Sequence, residues 1–167
     1  MGQKVNPIAF RTGVMEGWKS RWYAPKAEFA TLLVEDKKIR DFVQKHPTQN
    51  YKAAGIDRVE IERTRDEVKV TLFVARPGLI IGKKGQEVER LQNEMQNLIG
   101  RRINLKVEEI GRPDLQAQLV AEKISEQLQR RASFRRTMKR AAEESMDAGA
   151  KGIKVQLAGR LGGAEMA

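Results

Sequence analysis

The sequence predicts an α+β chain in two parts: a three-stranded sheet packed by helices, then the helical start of a second, incomplete α/β domain. Three observations predict it. Apolar residues alternate with period two around Val59 and Ile61, from Val68 to Val74, and from Ile103 to Val107, which marks strands. Apolar residues at three- and four-residue spacing mark helices before, between and after those strands. The run Gly111-Arg112-Pro113-Asp114 then breaks both patterns and reads as a domain boundary.

Residues 1–25 form a basic, turn-rich arm, with Lys4, Arg11, Lys19 and Arg21 against the single acid Glu16. Trp18, Trp22 and Tyr23 are interleaved with them. Basic groups among aromatics can dock on RNA. The same aromatics can instead pin the arm onto its own domain, and the two readings are compatible. Pro25 can open a helix. Phe29, Leu32, Leu33, Ile39, Phe42 and Val43 carry that helix to about Lys45, with a bend expected at Glu35-Asp36-Lys37-Lys38. Residues 46–57, with Pro47, Asn50 and Gly55, read as a loop, and His46 as a helix-end residue. Thr64-Arg65-Asp66-Glu67 reads as a hairpin turn, and Arg76-Pro77-Gly78 closes the second strand. Leu79–Ile81 forms a short helical turn ahead of Gly82-Lys83-Lys84-Gly85. A helix from Gln86 to about Ile99 turns Val88, Leu91, Met95 and Leu98 inward and stops at Gly100.

Beyond the boundary, Ala117, Val120, Ala121, Ile124 and Leu128 form the apolar stripe of a helix from Asp114 to about Arg131. Ser133 is a candidate N-cap for a second helix ending near Gly149. Ile153, Val155 and Leu157 alternate as one more strand. One strand cannot make a sheet alone, so it needs partners from elsewhere, and the sequence reads as C-terminally truncated. The expected organisation is an arm at 1–25, a first domain at 26–110 and an incomplete second domain at 111–167.

The chain has 167 residues, 40% of them hydrophobic, enough for one or two real cores. It carries 32 Lys and Arg against 22 Asp and Glu, a net charge of +10. Such an excess implies a polyanionic partner, nucleic acid or anionic membrane. No apolar run approaches the roughly 20 residues of a membrane span, and the N-terminus lacks the apolar core of a secretory signal. There is no cysteine, which excludes disulfides and cysteine zinc sites and fits a cytoplasmic location. The one histidine stands isolated, and no paired carboxylates or metal-ligand spacing stand out. The expectation is a non-enzyme without metal or cofactor.

Two constellations remain. Gly82 and Gly85 permit a tight turn, and Lys83 and Lys84 put positive charge on it. A nucleoside-triphosphate loop needs glycine, four residues, then Gly-Lys-Ser/Thr. Here Gly78 lies one residue too close to Gly82, and Lys84 stands where the magnesium-binding hydroxyl belongs. Dinucleotide-binding glycine spacing is also absent. The remaining reading is the Gly-X-X-Gly loop of a KH domain, which clamps a few single-stranded nucleotides. The order helix–strand–strand–helix–loop–helix–strand matches the second topological type of that domain. The other constellation is Arg130, Arg131, Arg135, Arg136, Lys139 and Arg140, six cations within eleven residues and no acid among them. On a helix Arg135 stacks with Lys139 and Arg136 with Arg140, which makes a broad cationic face. A solvated surface is the plain alternative, but clustered like charges repel unless an anion offsets them. Arginine also makes forked hydrogen bonds to phosphate.

Taken in order, Met1–Pro7, Ala75–Gly78, Ile81–Gly85, Phe134–Arg140, Gly149–Val155 and Gly159–Glu165 closely resemble the third-protein family of the bacterial small ribosomal subunit. The resemblance covers the whole chain, although family members continue with further C-terminal strands. It implies a structural constituent of the subunit head that binds small-subunit ribosomal RNA, contacts neighbouring proteins and lines the channel where messenger RNA enters. It implies that Gly82, Lys83, Lys84 and Gly85 are the KH loop. It also implies that Arg135, Arg136 and Lys139, with Arg130, Arg131 and Arg140 around them, face incoming message and help it unwind. The arm, with Lys4, Arg11, Lys19 and Arg21, would run over ribosomal RNA and neighbouring proteins. Two other readings stand beside this one: a KH-type assembly or transcription factor, and a lysine-dependent nucleic-acid lyase, for which no acid–base partner is at hand.

Overall fold

The computed structural model describes residues 2–45, 49–65 and 67–161. The chain divides into two compact units, Met1–Glu108 and Glu109–Ala167.

The first unit holds α1 (Pro7–Arg11), β1 (Ser20–Arg21), α2 (Lys26–Lys45), α3 (Gln49–Ala54), β2 (Ile56–Arg63), β3 (Glu67–Val74), α4 (Pro77–Ile81), a 3₁₀ turn (Lys83–Gly85), α5 (Gln86–Ile99) and β4 (Arg102–Glu109). Its sheet runs in the order β1-β2-β3-β4. The central pair is antiparallel, with Val59 opposite Leu72 and Ile61 opposite Val70. The alternation places Val59, Ile61, Val68, Val70, Leu72 and Val74 on one face, where they are buried with Ile39, Val43, Ile80, Leu91, Met95 and Ile103. Burying each such side chain contributes roughly 1.5–3 kcal/mol, so this core holds α2, α4 and α5 on the sheet.

Three expectations need correction here. The sheet has four strands among the described residues, not three, because Ser20 and Arg21 pair in parallel with Ile61 and Glu62. The stretch expected as a loop at 46–57 contains α3, whose Tyr51 and Ala54 are buried in the core. His46 and Pro47 lie outside the described residues, as does Asp66 of the hairpin turn. The bend expected at Glu35–Lys38 does not interrupt the helix: α2 runs unbroken through it, and Asp36 there is fully buried.

The physical reason is a polar network. Arg63 donates to Asp36 Oδ1 from Nε and Nη2, at 2.8 and 2.6 Å. Ser20 Oγ and Trp22 Nε1 each donate to Asp36 Oδ2 at 2.8 Å. Arg63 also donates to Glu35 Oε2 at 2.7 Å and lies 5.9 Å from the Trp22 ring centre. A buried carboxylate is tolerated only when paired and hydrogen-bonded, and here donors occupy both oxygens. Trp22 therefore pins the arm, whereas Trp18 and Tyr23 stay exposed.

The second unit holds a 3₁₀ turn (Pro113–Leu115), α6 (Ala117–Gln129) and α7 (Phe134–Asp147). Leu119 and Ile124 are buried on α6, and Thr137, Ala141 and Ser145 on α7. The last three recur every fourth residue and are small, which lets the two helices approach. The strand expected at 153–157 is absent. Ile153, Val155 and Leu157 do lie along the apolar face of α6, lining an open groove with Val120, Ala121, Ile124 and Leu128. A strand needs a neighbouring backbone to pair with as well as alternating side chains, and the described residues of this unit supply none.

Candidate nucleic-acid interface

The glycine–lysine loop joins α4 to α5. Gly82 has φ 67°, and its N–H donates to Gly78 O at 3.0 Å. A Cβ at Gly82 would stand 2.5 Å from Glu87 Cγ, so both backbone and space require glycine. Lys83 is exposed at the tip, and Lys84 follows in the same turn, its side chain outside what the structure describes. Gly85, in the left-handed region at φ 81°, opens α5 without a side-chain cap. Glu87 and Glu89 stand in the first turn of α5. They already offset the positive end of the helix, so the anion attraction of this loop rests on its lysines.

On α7 the buried stripe of Thr137, Ala141 and Ser145 turns Arg135, Arg136 and Lys139 to solvent. The structure separates the six predicted cations. Arg130 is paired with Glu126, four residues earlier. Arg140 Nε donates to Glu144 Oε1 at 2.9 Å, and Lys139 Nζ lies 3.8 Å from Glu143 Oε1. Glu144 Oε2 also accepts from Lys123 at 2.7 Å, and Lys123 lies 3.6 Å from Asp114. The Lys123 hydrogen bond, with Arg140 beside it, holds the Glu144 carboxyl below its ordinary range, while the same bond raises Lys123. Arg131, Arg135 and Arg136 have no carboxylate partner among the described residues. Arg135 lies 5.7 Å from the ring centre of Phe134.

The arm cations divide as well. Lys4 and Lys19 are exposed, and the Arg11 side chain donates, among the described residues, to Pro7 O alone at 3.1 Å. Arg21 lies 3.5 Å from Glu60 and 3.7 Å from Glu62, so its charge is engaged on the sheet. Sequence reasoning placed all six cations on one RNA-binding face, and the signal that separates them was present: Glu126 and Glu144 stand four residues from Arg130 and Arg140. Arg21 carried no such local signal, because its acids lie about forty residues away.

Fold and loop together define a KH-type RNA-binding protein with a second unit bearing a cationic helix. A family model described as KH domain matches residues 38–115, and one described as ribosomal protein S3, C-terminal domain, matches 124–167. The chain is 77% identical to the small ribosomal subunit protein uS3 of Rhodopirellula baltica, over all of this chain and 71% of that protein. It is 51% identical to that of Protochlamydia amoebophila, over all of this chain and 76% of the relative. For Geobacter sulfurreducens the identity is 50%, over 99% of this chain and 76% of the relative. The chain belongs to the small ribosomal subunit protein uS3 family, whose members are structural RNA-binding constituents and not enzymes.

Proposed function

We propose that this chain is a structural constituent of the small-subunit head of the cytoplasmic ribosome, where it binds ribosomal RNA and lines the messenger-RNA entry channel. The observation that carries the second part is the set of cations on and beside α7 left without carboxylates among the described residues, next to others that are neutralised. A solvated helix surface has no need to concentrate unneutralised arginines, whereas a phosphate backbone offsets them. Lys83, Lys84 and the free arm cations Lys4, Arg11 and Lys19 are the ribosomal-RNA contacts in this reading. The arm also exposes Val5, Phe10, Val14 and Met15, apolar surface that fits contact with neighbouring proteins of the head.

Passage of structured message is then aided mechanically. Cations along the channel hold the incoming backbone and favour the single strand as translocation draws it in. The chain has no nucleotide-binding loop and supplies no energy of its own. The test is translation by subunits carrying Arg135→Ala, Arg136→Ala and Lys139→Ala together. Messages with a stable hairpin should be translated more slowly relative to unstructured ones. An unchanged ratio overturns the entry-channel role.

A further inference from the structure

Arg131 has φ 61°, the one positive φ outside glycine among the described residues. It follows Arg130, the C-cap of α6. Ala132 N–H donates to Gln127 O at 3.1 Å, and Arg131 N–H to Leu128 O at 2.9 Å. These two bonds form a Schellman stop, in which the residue after the cap adopts the left-handed conformation and is usually glycine. α7 ends the same way: Ala150 N–H donates to Ser145 O at 3.1 Å and Gly149 N–H to Met146 O at 3.0 Å, with Gly149 at φ 98°. At the end of α6 the chain places arginine in the glycine position, where a Cβ crowds the backbone.

Nothing among the described residues compensates for that choice. Arg131 is exposed and has no carboxylate partner there, while the adjacent Arg130 is paired with Glu126. We propose that Arg131 is a phosphate-binding residue of the RNA face, placed at the corner between α6 and α7 and retained for its positive charge at some expense to fold stability. The Schellman stop fixes its backbone three residues ahead of α7, so the side chain projects from a rigid corner. The ligand class is the phosphate backbone of single-stranded or hairpin RNA. This inference rests on the reading of α7 as an RNA face.

The test uses the 167-residue chain, a fluorescent RNA hairpin with a single-stranded tail, and binding measured across salt concentrations beside thermal melting. Arg131→Gly should raise Tm by about 2–4 °C, yet weaken binding about three- to tenfold and lower the salt slope by about 0.7. Arg131→Lys keeps both charge and backbone strain, so it should leave Tm and slope near those of the parent. Arg135→Ala with Arg136→Ala tests the underlying reading. If that pair lowers the slope and Arg131→Gly does not, the inference fails and the α7 reading stands. If neither lowers it, both fail. A fall in Tm on Arg131→Gly also overturns the inference, because arginine would then serve the fold.

Discussion

Replacing Asp36 by Asn removes one charge from the most buried polar group of the first unit while keeping its shape. Asp36 is fully buried, and the Arg63 side chain is 5% exposed. Breaking one member of such a pair costs about 3–5 kcal/mol, because the other charge stays buried without its partner. Arg63 keeps Glu35 at 2.7 Å, which places Asp36→Asn near the lower end. The new amide also cannot accept from Ser20 and Trp22 on one oxygen and from Arg63 on the other. For Asp36→Ala all four hydrogen bonds disappear, and the upper end is expected. At several degrees per kcal/mol for a unit of this size, Tm should fall on the order of 10–20 °C. Urea melts followed by circular dichroism give the stability. Trp22 fluorescence, with exposed Trp18 replaced by Phe, reports release of the arm. A loss below about 1 kcal/mol with an unchanged Trp22 spectrum would refute the argument that this network holds the arm to α2 and β2.

Three further outcomes follow from the same geometry. Gly82→Ala meets both a positive φ and the Glu87 side chain, so it should cost at least about 1–2 kcal/mol from the backbone alone, read by thermal melting. Lys83→Ala should leave Tm unchanged and lower the salt slope of single-strand RNA binding by about 0.7, read by fluorescence anisotropy. Glu144 is depressed by Lys123 and Arg140, so its contribution is present above the unfolded value of about 4.3 and is lost as pH falls through the folded value. Amide exchange of α6 and α7 should therefore quicken between about pH 5 and pH 3, and Glu144→Gln should flatten that change. The pair is partly exposed, so the effect stays within about 1 kcal/mol.

What could be read from sequence was what neighbours along the chain determine. Alternation at Val59–Ile61 and Val68–Val74 announced β2 and β3, Gly100 announced the end of α5, and the glycine spacing identified the loop. What could not be read depends on partners far away in sequence. Asp36 sits in a run of charged residues, and nothing local marks it as buried, because Arg63 lies 27 residues on and Ser20 and Trp22 lie 16 and 14 back. Tyr51 and Ala54 became core residues through α4 and the sheet, which the flanking Pro47 and Gly55 concealed. Residues 153–157 show the converse: their alternation suits a sheet surface, but a ladder requires a second backbone. In the cationic helix, residue type was legible, and the division into paired and unpaired charges needed side-chain positions.

That division can itself be measured. Two double variants of the whole chain, Arg135→Ala with Arg136→Ala and Arg130→Ala with Arg140→Ala, each remove two positive charges. Binding of single-stranded RNA across salt concentrations should show the first pair lowering the slope by about 1.4, at about 0.7 for each phosphate no longer neutralised. The second pair, already neutralised by Glu126 and Glu144, should change it little. Equal changes for the two pairs would contradict the claim that the unpaired arginines of α7 form the RNA-binding face.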